Sequence, residues 1–311
     1  MVPDAEFTSY YGRPIVRPAP WKEEIPAYMF FGGLAAGSSL LAAGADLTGR
    51  PALRRVGRLG ALAALGASMF TLVHDLGRPE RFLNMMRVLK PTSPMSIGTW
   101  ILTAYGPGAG LAGAAELARM LPAQGGAIGR LAVALARPAG LAAAAVAPGV
   151  ATYTAVLLAD TATPGWHSAY RELPALFVSS AAAASGGLGM VGAPTSQAAP
   201  ARRLAVAGAA VELVAEHQME RSMGLSAETL HADRGGRLMA AARWLTAGGA
   251  LGTLVLGRRS RAAAIASGLA LMAGSACTRF GVFEAGQASA RDPKYTVVPQ
   301  RERLARGTTA G

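Results

Sequence analysis

Eight stretches of nearly uninterrupted apolar sequence, each parted from the next by a short polar segment, limit what this 311-residue chain can fold into. They fall at 25–47, 59–76, 96–115, 139–159, 174–193, 204–220, 238–256 and 262–277. A bilayer core about 30 Å thick is crossed by roughly 20 apolar residues in an α-helix, and these stretches approach or reach that length. Apolar residues lie on every face of each predicted helix, as in lipid-embedded rather than surface helices. Only 15% of the residues are charged, far fewer than a soluble chain of this length needs to cover its surface. The sequence therefore predicts an all-α integral membrane protein, a bundle of about eight transmembrane helices. Residues 1–24 form an extramembrane N-terminal arm, 25–280 the transmembrane domain and 281–311 an extramembrane tail. The arm carries Asp4, Glu6, Glu23 and Glu24 and several prolines. It lacks the basic start and apolar stretch of a signal peptide, so it is read as retained.

The net charge of +12 does not indicate nucleic acid. The arginines gather at the ends of apolar stretches and form no stripe with interleaved aromatics. In a membrane protein a basic excess follows topology, with Lys and Arg marking the cytoplasmic side. Arg50, Arg54, Arg55 and Arg58 follow the first span; Arg119, Arg130 and Arg137 separate the third from the fourth. Arg202 and Arg203 precede the sixth span, and Arg258, Arg259 and Arg261 precede the eighth, with almost no acids among them. On the opposite side basic residues mix with Asp75, Glu80, Asp160, Glu172, Glu228 and Asp233. Both termini are therefore expected outside the cytoplasm, in a multi-pass protein of the cell membrane.

A single cysteine, Cys277, rules out a disulfide framework and any iron–sulfur or zinc centre ligated by cysteines of this chain. No metal site is expected. Bis-His haem needs inward-facing histidine pairs at similar depth; only His74 and His217 lie near spans, so no haem is expected either. Gly33 and Gly37 make a small-xxx-small pattern that reads as close helix packing. The glycines from Gly187 to Gly192 match a dinucleotide fingerprint in form only, because they lie within an apolar span instead of between a strand and a soluble helix.

The densest polar feature is His74-Asp-Leu-Gly-Arg-Pro-Glu-Arg-Phe-Leu-Asn84, where Gly77 and Pro79 end the second helix at the membrane edge. Read on composition alone, it is equally an interfacial loop of snorkelling arginines. A second polar set, Glu212, Glu216 and Glu220, recurs every four residues and so shares one helix face. Carboxylates within a bilayer are costly and commonly line a polar route, which makes Glu212 and Glu216 candidates for a proton path.

Asp75-Leu-Gly-Arg-Pro-Glu-Arg-Phe82, followed by Ser93-Pro-Met-Ser-Ile-Gly-Thr-Trp100, resembles the signature loop and third-helix start of the NrfD/PsrC family. Tyr28-Met-Phe-Phe-Gly-Gly-Leu-Ala-Ala-Gly37 is similar to that family's first helix. Thr152-Tyr-Thr-Ala-Val-Leu-Leu158, with Pro164-Gly-Trp166 and Leu173-Pro174, resembles its fourth and fifth helices. Arg279, Gly286 and Asp292-Pro293 resemble its end. The resemblance implies a helical bundle with a quinone pocket, for menaquinone or ubiquinone, at the face that docks a separate ferredoxin-like iron–sulfur subunit. A catalytic subunit of molybdopterin type would lie beyond that. It also implies that Trp21, Glu23, Tyr28, Arg78 and Tyr153 converge as quinone-binding residues, with His74 and Asp75 as catalytic proton acceptors. Arg78 or Arg81 would compensate the charge of Asp75. Arg78, Arg81, Arg87 and Trp166 in the loops, with Arg291 and Lys294 in the tail, suit the docking of an acidic partner.

The expected function is that of the quinone-reactive membrane subunit of an oxidoreductase complex, incomplete as an enzyme on its own, with proton translocation an open possibility. Two other classes remain at this point. A proton or small-solute transporter would show matching broken helices in related halves, which the sequence does not display. A structural anchor would bind no quinone and would tolerate changes around Asp75.

Overall fold

The computed structural model describes residues 14–122 and 126–308, with the backbone alone at Arg81 and 306–308. Asp4 and Glu6 of the arm lie outside the described residues. Ten α-helices follow in order: α1 (Glu24–Leu47), α2 (Pro51–Asp75), α3 (Pro94–Ala118), α4 (Gly126–Ala159), α5 (Pro164–Ser168), α6 (Leu173–Gly192), α7 (Ala199–Ser222), α8 (Asp233–Val255), α9 (Arg261–Arg291) and α10 (Lys294–Thr308). Short 3₁₀ segments occupy Pro79–Met86 and Gly224–Leu230. Eight helices have 20 residues or more, one for each apolar stretch in the sequence. Six of these, α1, α2, α4, α6, α8 and α9, are long and apolar enough to cross a membrane. α3 and α7 are broken up by Gly, Pro or charged residues and are less apolar.

The eight long helices pair as antiparallel hairpins, α1–α2, α3–α4, α6–α7 and α8–α9, with α1, α4, α6 and α9 meeting along the centre. α1 is the most enclosed, while α2 and α8 keep most of their apolar surface outward. Phe70, Trp244 and Leu251 stand on that outer surface, which is the arrangement expected of helices that face lipid. Close packing at the centre rests on small residues. A Cβ on Gly37 would sit 2.4 Å from the Ser185 hydroxyl, and one on Gly187 would sit 2.5 Å from the Gly268 carbonyl oxygen. The small-xxx-small pattern on α1 and the glycines of α6 are thus packing surfaces, α1 against α6 and α6 against α9.

Several helices run past their apolar stretches. α2 begins at Pro51, so Arg54, Arg55 and Arg58 are helical, and α4 includes Arg130 and Arg137. α9 continues to Arg291, burying Arg279, Phe283 and Gln287 within the bundle. The two ends of the bundle differ in chemistry. At the end formed by the α1–α2, α3–α4, α6–α7 and α8–α9 turns, arginines dominate, and two carboxylates are held among them. Glu116, fully buried, accepts from Arg54 at 3.1 Å, Arg58 at 3.0 Å and Arg119 at 2.7 Å. Asp46 takes Arg54 at 3.3 Å and Arg58 at 3.2 Å. The other end gathers the arm, the 3₁₀ segments and α5 and α10, and a cavity opens there.

Candidate functional site

The cavity has a volume of about 460 Å³ and lies among α1, α2, α3, α4 and the Pro79–Met86 segment. Each helix contributes residues spaced three or four apart, so each offers one stripe: Ile25, Tyr28 and Met29; Met69, Leu72 and Asp75; Met95, Thr99 and Thr103; Tyr153, Thr154 and Leu157. Five methionines, at 29, 69, 85, 86 and 95, line the wall. Their flexible thioethers shape an apolar surface that adapts to an inserted ring or chain. Polar atoms are few: the Asp75 carboxylate, the tyrosine hydroxyls and three threonines. Thr99 donates back to the Met95 carbonyl at 3.0 Å, and Thr103 lies within donating distance of the Thr99 carbonyl at 2.8 Å and of the Met86 sulfur at 3.6 Å. Pro107, also in the wall, has no amide to bond the Thr103 carbonyl.

Two aromatic contacts set the shape of the site. Tyr28 and Tyr153 meet edge to face with ring centroids 6.4 Å apart. Gly98 of α3 makes room for the second ring, since a Cβ there would lie 2.4 Å from two of its carbons. At the rim, Trp21 stacks on Trp166 at 5.9 Å, and Trp166 donates its indole N–H to the Val282 carbonyl at 2.9 Å. The Gln287 amide donates to the carbonyls of Ala19 at 3.0 Å and Trp21 at 3.3 Å, tying the N-terminal arm to α9. The loop after α2 is fixed as well: Ser96 donates to the Val88 carbonyl at 3.1 Å and accepts from the Lys90 amide at 3.0 Å.

Of the residues that the sequence singled out, Trp21, Tyr28, Asp75 and Tyr153 line this cavity. His74, Glu23 and Arg78 do not. α2 ends at Asp75, and Gly77 turns the chain with φ +64°. Neighbours on a helix point about 100° apart, so Asp75 faces inward while His74 faces out. His74 is 64% exposed, stacks on Phe70 and bonds Glu24 through Nδ1 at 3.2 Å. Glu23 pairs with Arg234 at 2.5 Å, which also approaches Glu284 at 3.3 Å. Arg78 is exposed, and among the described residues no cation lies within 4 Å of Asp75. The side chain of Arg81 lies outside the described residues. Trp166, expected as a surface anchor for a partner, is 1% exposed and packs between Trp21 and Phe283. Lys294 is engaged with Glu228.

Glu212 and Glu216 belong to a separate polar track between α7, α8 and α9. Glu220 and Glu216 share Arg243, at 2.5 and 2.9 Å. One turn deeper, buried Glu212 accepts from Thr278 at 2.8 Å, and its second oxygen has no partner among the described residues. Beside it, buried Arg279 donates to the Phe177 carbonyl at 2.6 Å and stacks over the Phe177 ring at 3.8 Å. Among the described residues, no three His, Cys, Asp or Glu side chains converge as ligands for a metal.

The methionines, Thr99, Thr103 and Gln287 escaped the sequence reading. The stripes were present as three-and-four spacing, but a stripe of Met and Thr reads as ordinary packing until four helices enclose a space. Residues 15–195 match the family model for polysulphide reductase, NrfD. No curated protein sequence matches the chain. Every residue of the cavity wall falls within the matched stretch, whereas Glu212 and Glu216 fall beyond it.

Proposed function

Because the chain belongs to the NrfD family, membrane subunits of oxidoreductase complexes, we propose that its α1–α4 cavity binds a quinone, menaquinone or ubiquinone, and passes its electrons to or from an iron–sulfur subunit docked at the same end. The cavity carries this reading: its walls are apolar and its volume suits a quinone ring with the start of its tail, yet it holds one carboxylate that forms no ion pair among the described residues. A bound quinone would supply two-electron, two-proton redox chemistry. The chain's own residues do the rest. Asp75 takes up or returns a proton at the cavity wall. Tyr28 and Tyr153 donate hydroxyl hydrogen bonds, and their edge-to-face contact holds both rings in place. The methionine and leucine walls exclude water and accommodate the tail. Trp21, stacked on Trp166 and anchored through Gln287, covers the rim.

His74 and Glu24 stand outside this wall as a hydrogen-bonded pair, placed to relay protons between Asp75 and the aqueous edge. Glu216 and Glu212 lead inward to Arg279, and in this reading they form a second proton route through the bundle. The termini lie outside the cytoplasm, since the opposite end carries the arginines. A catalytic subunit, of molybdopterin type, completes the complex beyond the iron–sulfur partner.

Asp75→Asn tests the assignment, because it keeps size and removes the proton acceptor. Quinol-driven turnover of the purified complex should fall about a hundredfold. Activity from a dye that reduces the iron–sulfur subunit directly should be retained. Unchanged quinol turnover, or loss of both activities together, would remove Asp75 from the mechanism.

A further inference from the structure

At the arginine-rich end, a second open cavity of about 680 Å³ lies between the starts of α2 and α7 and the α8–α9 turn. Its wall consists of Arg50, Thr195, Ser196, Ala199, Arg202, Arg203 and Arg258: four guanidiniums, two hydroxyls and no carboxylate. Four other arginines at this end are engaged. Arg54, Arg58 and Arg119 surround Glu116, and Arg261 donates to the carbonyls of Met190, Val191 and Ala193. None of the four pocket arginines has an acid within 4 Å among the described residues. The Arg50 Nε is buried with no partner among the described residues, and Arg202 spends one N–H on the Thr195 carbonyl at 3.0 Å while feeling the like charges of Arg203 and Arg258.

Such a cluster repels itself and leaves donors unmet, so an anion between its members removes both costs. The backbone adds to the same field. α7 starts at the pocket without a side-chain cap, and Gln197 reaches across to accept from the Ala52 amide at 2.9 Å, holding the two helix starts together. Next to the pocket, Leu254, Val255 and Leu256 at the end of α8 are 65%, 57% and 49% exposed. They offer an apolar surface that leads directly from the guanidiniums toward the bilayer.

We propose that this pocket binds the phosphate of an anionic phospholipid headgroup, with the acyl chains lying along the end of α8. The exposed apolar residues beside it favour a lipid over a free anion, and the forked guanidiniums match phosphate oxygens bidentately. The site is independent of the quinone cavity, which lies at the opposite end of the bundle.

The test uses the full chain, delipidated in mild detergent, with native mass spectrometry and thermal melting as readouts. Phosphatidylglycerol should be retained and should raise the melting temperature, and phosphatidylcholine should do neither. Each arginine removed near an anionic headgroup weakens binding about fivefold, so Arg202→Gln with Arg258→Gln should cost roughly 25-fold. Arg55→Gln with Arg259→Gln removes the same charge from exposed positions on the same face, outside the pocket, and should leave retention intact. If the first pair does not fold, Arg258→Gln alone, at an exposed position, carries the test with about a fivefold loss. Equal loss in both double variants, or equal retention of the two lipids, overturns the proposal. Inorganic phosphate that protects as well as phosphatidylglycerol also overturns the lipid assignment, since the ligand is then a soluble anion.

Discussion

Gly98→Ala adds one methyl group on α3, and the structure shows where it goes. The new Cβ lies 2.4 Å from two carbons of the Tyr153 ring, whereas non-bonded carbons settle at about 3.5–4.0 Å. The ring must therefore retreat by more than about 1 Å. It is held between α3 and the Tyr28 ring, so it moves into the cavity or pushes Tyr28. Overpacking of this kind costs about 1–3 kcal/mol of stability. A misplacement near 1 Å in a group that orients substrate costs up to about a hundredfold in rate. Gly110→Ala on the same helix provides the control: nothing lies within 4 Å of its added Cβ, and stability should hold or rise by about 0.5–1 kcal/mol. Quinol titration of the purified complex, beside dye-driven activity as a measure of intact assembly, reads the effect as a rise in KM and a fall in kcat confined to the quinol reaction. Adding Tyr153→Leu relieves the crowding, so stability should return while quinol turnover does not. A folded Gly98→Ala protein with quinol KM and kcat indistinguishable from wild type would refute a role for Tyr153 in the site.

Glu116→Gln leaves three guanidiniums, that of Arg58 well enclosed, around a neutral amide, and should destabilise the arginine-rich end by about 3 kcal/mol, read as earlier thermal unfolding in detergent; an unchanged melt would show that the cluster contributes nothing. Gln287→Ala strips the donor from the Ala19 and Trp21 carbonyls and should loosen the arm by about 1–3 kcal/mol, seen as faster protease cleavage before Trp21 with the bundle intact. Tags at both termini should react with impermeant reagents from outside spheroplasts, and reaction only after lysis would reverse the assigned orientation.

Hydropathy is a local property, which is why all eight long helices were legible in order. Their ends were not, because the residues beyond the apolar stretches depend on distant partners. Arg58 extends α2 because Glu116 and Asp46 neutralise it, and these stand on other helices. Arg279 looks like the start of a polar tail, yet the Phe177 ring and carbonyl bury it and α9 continues for twelve more residues, to Arg291. At the site, the residues next to Gly77 were identifiable as a helix end, but which of His74 and Asp75 faces inward depends on the last turn of α2. Trp166 shows the same limit from the other side. A tryptophan in a loop between spans reads as interfacial, and only its neighbours Gly286, Phe283 and Trp21 reveal that it is enclosed.

The two ends of the bundle treat their acids in opposite ways, and this contrast bears on mechanism. Glu116 has three arginines within 3.1 Å and Asp46 has two within 3.3 Å, so both are locked into ion pairs that hold the helix ends together. Asp75 lies at the C-terminus of α2, where the helix's own carbonyls oppose a negative charge, and among the described residues no cation stands within 4 Å. Evolution of a merely structural loop has a simple remedy for that conflict, since the sequence supplies Arg78 three residues on. The structure turns Arg78 outward instead; methionine and leucine line the wall beside the carboxylate, and the backbone amide and charge of Lys22 reach it from the arm. In the proposed reading, a carboxylate outside any ion pair of the described residues takes up a proton and gives it back, as quinol oxidation and quinone reduction would require of a group at the ring. If Asp75 is the proton acceptor, Asp75→Asn should leave the protein folded while quinol turnover falls about a hundredfold. A destabilised, inactive Asp75→Asn protein would show that the carboxylate is structural after all.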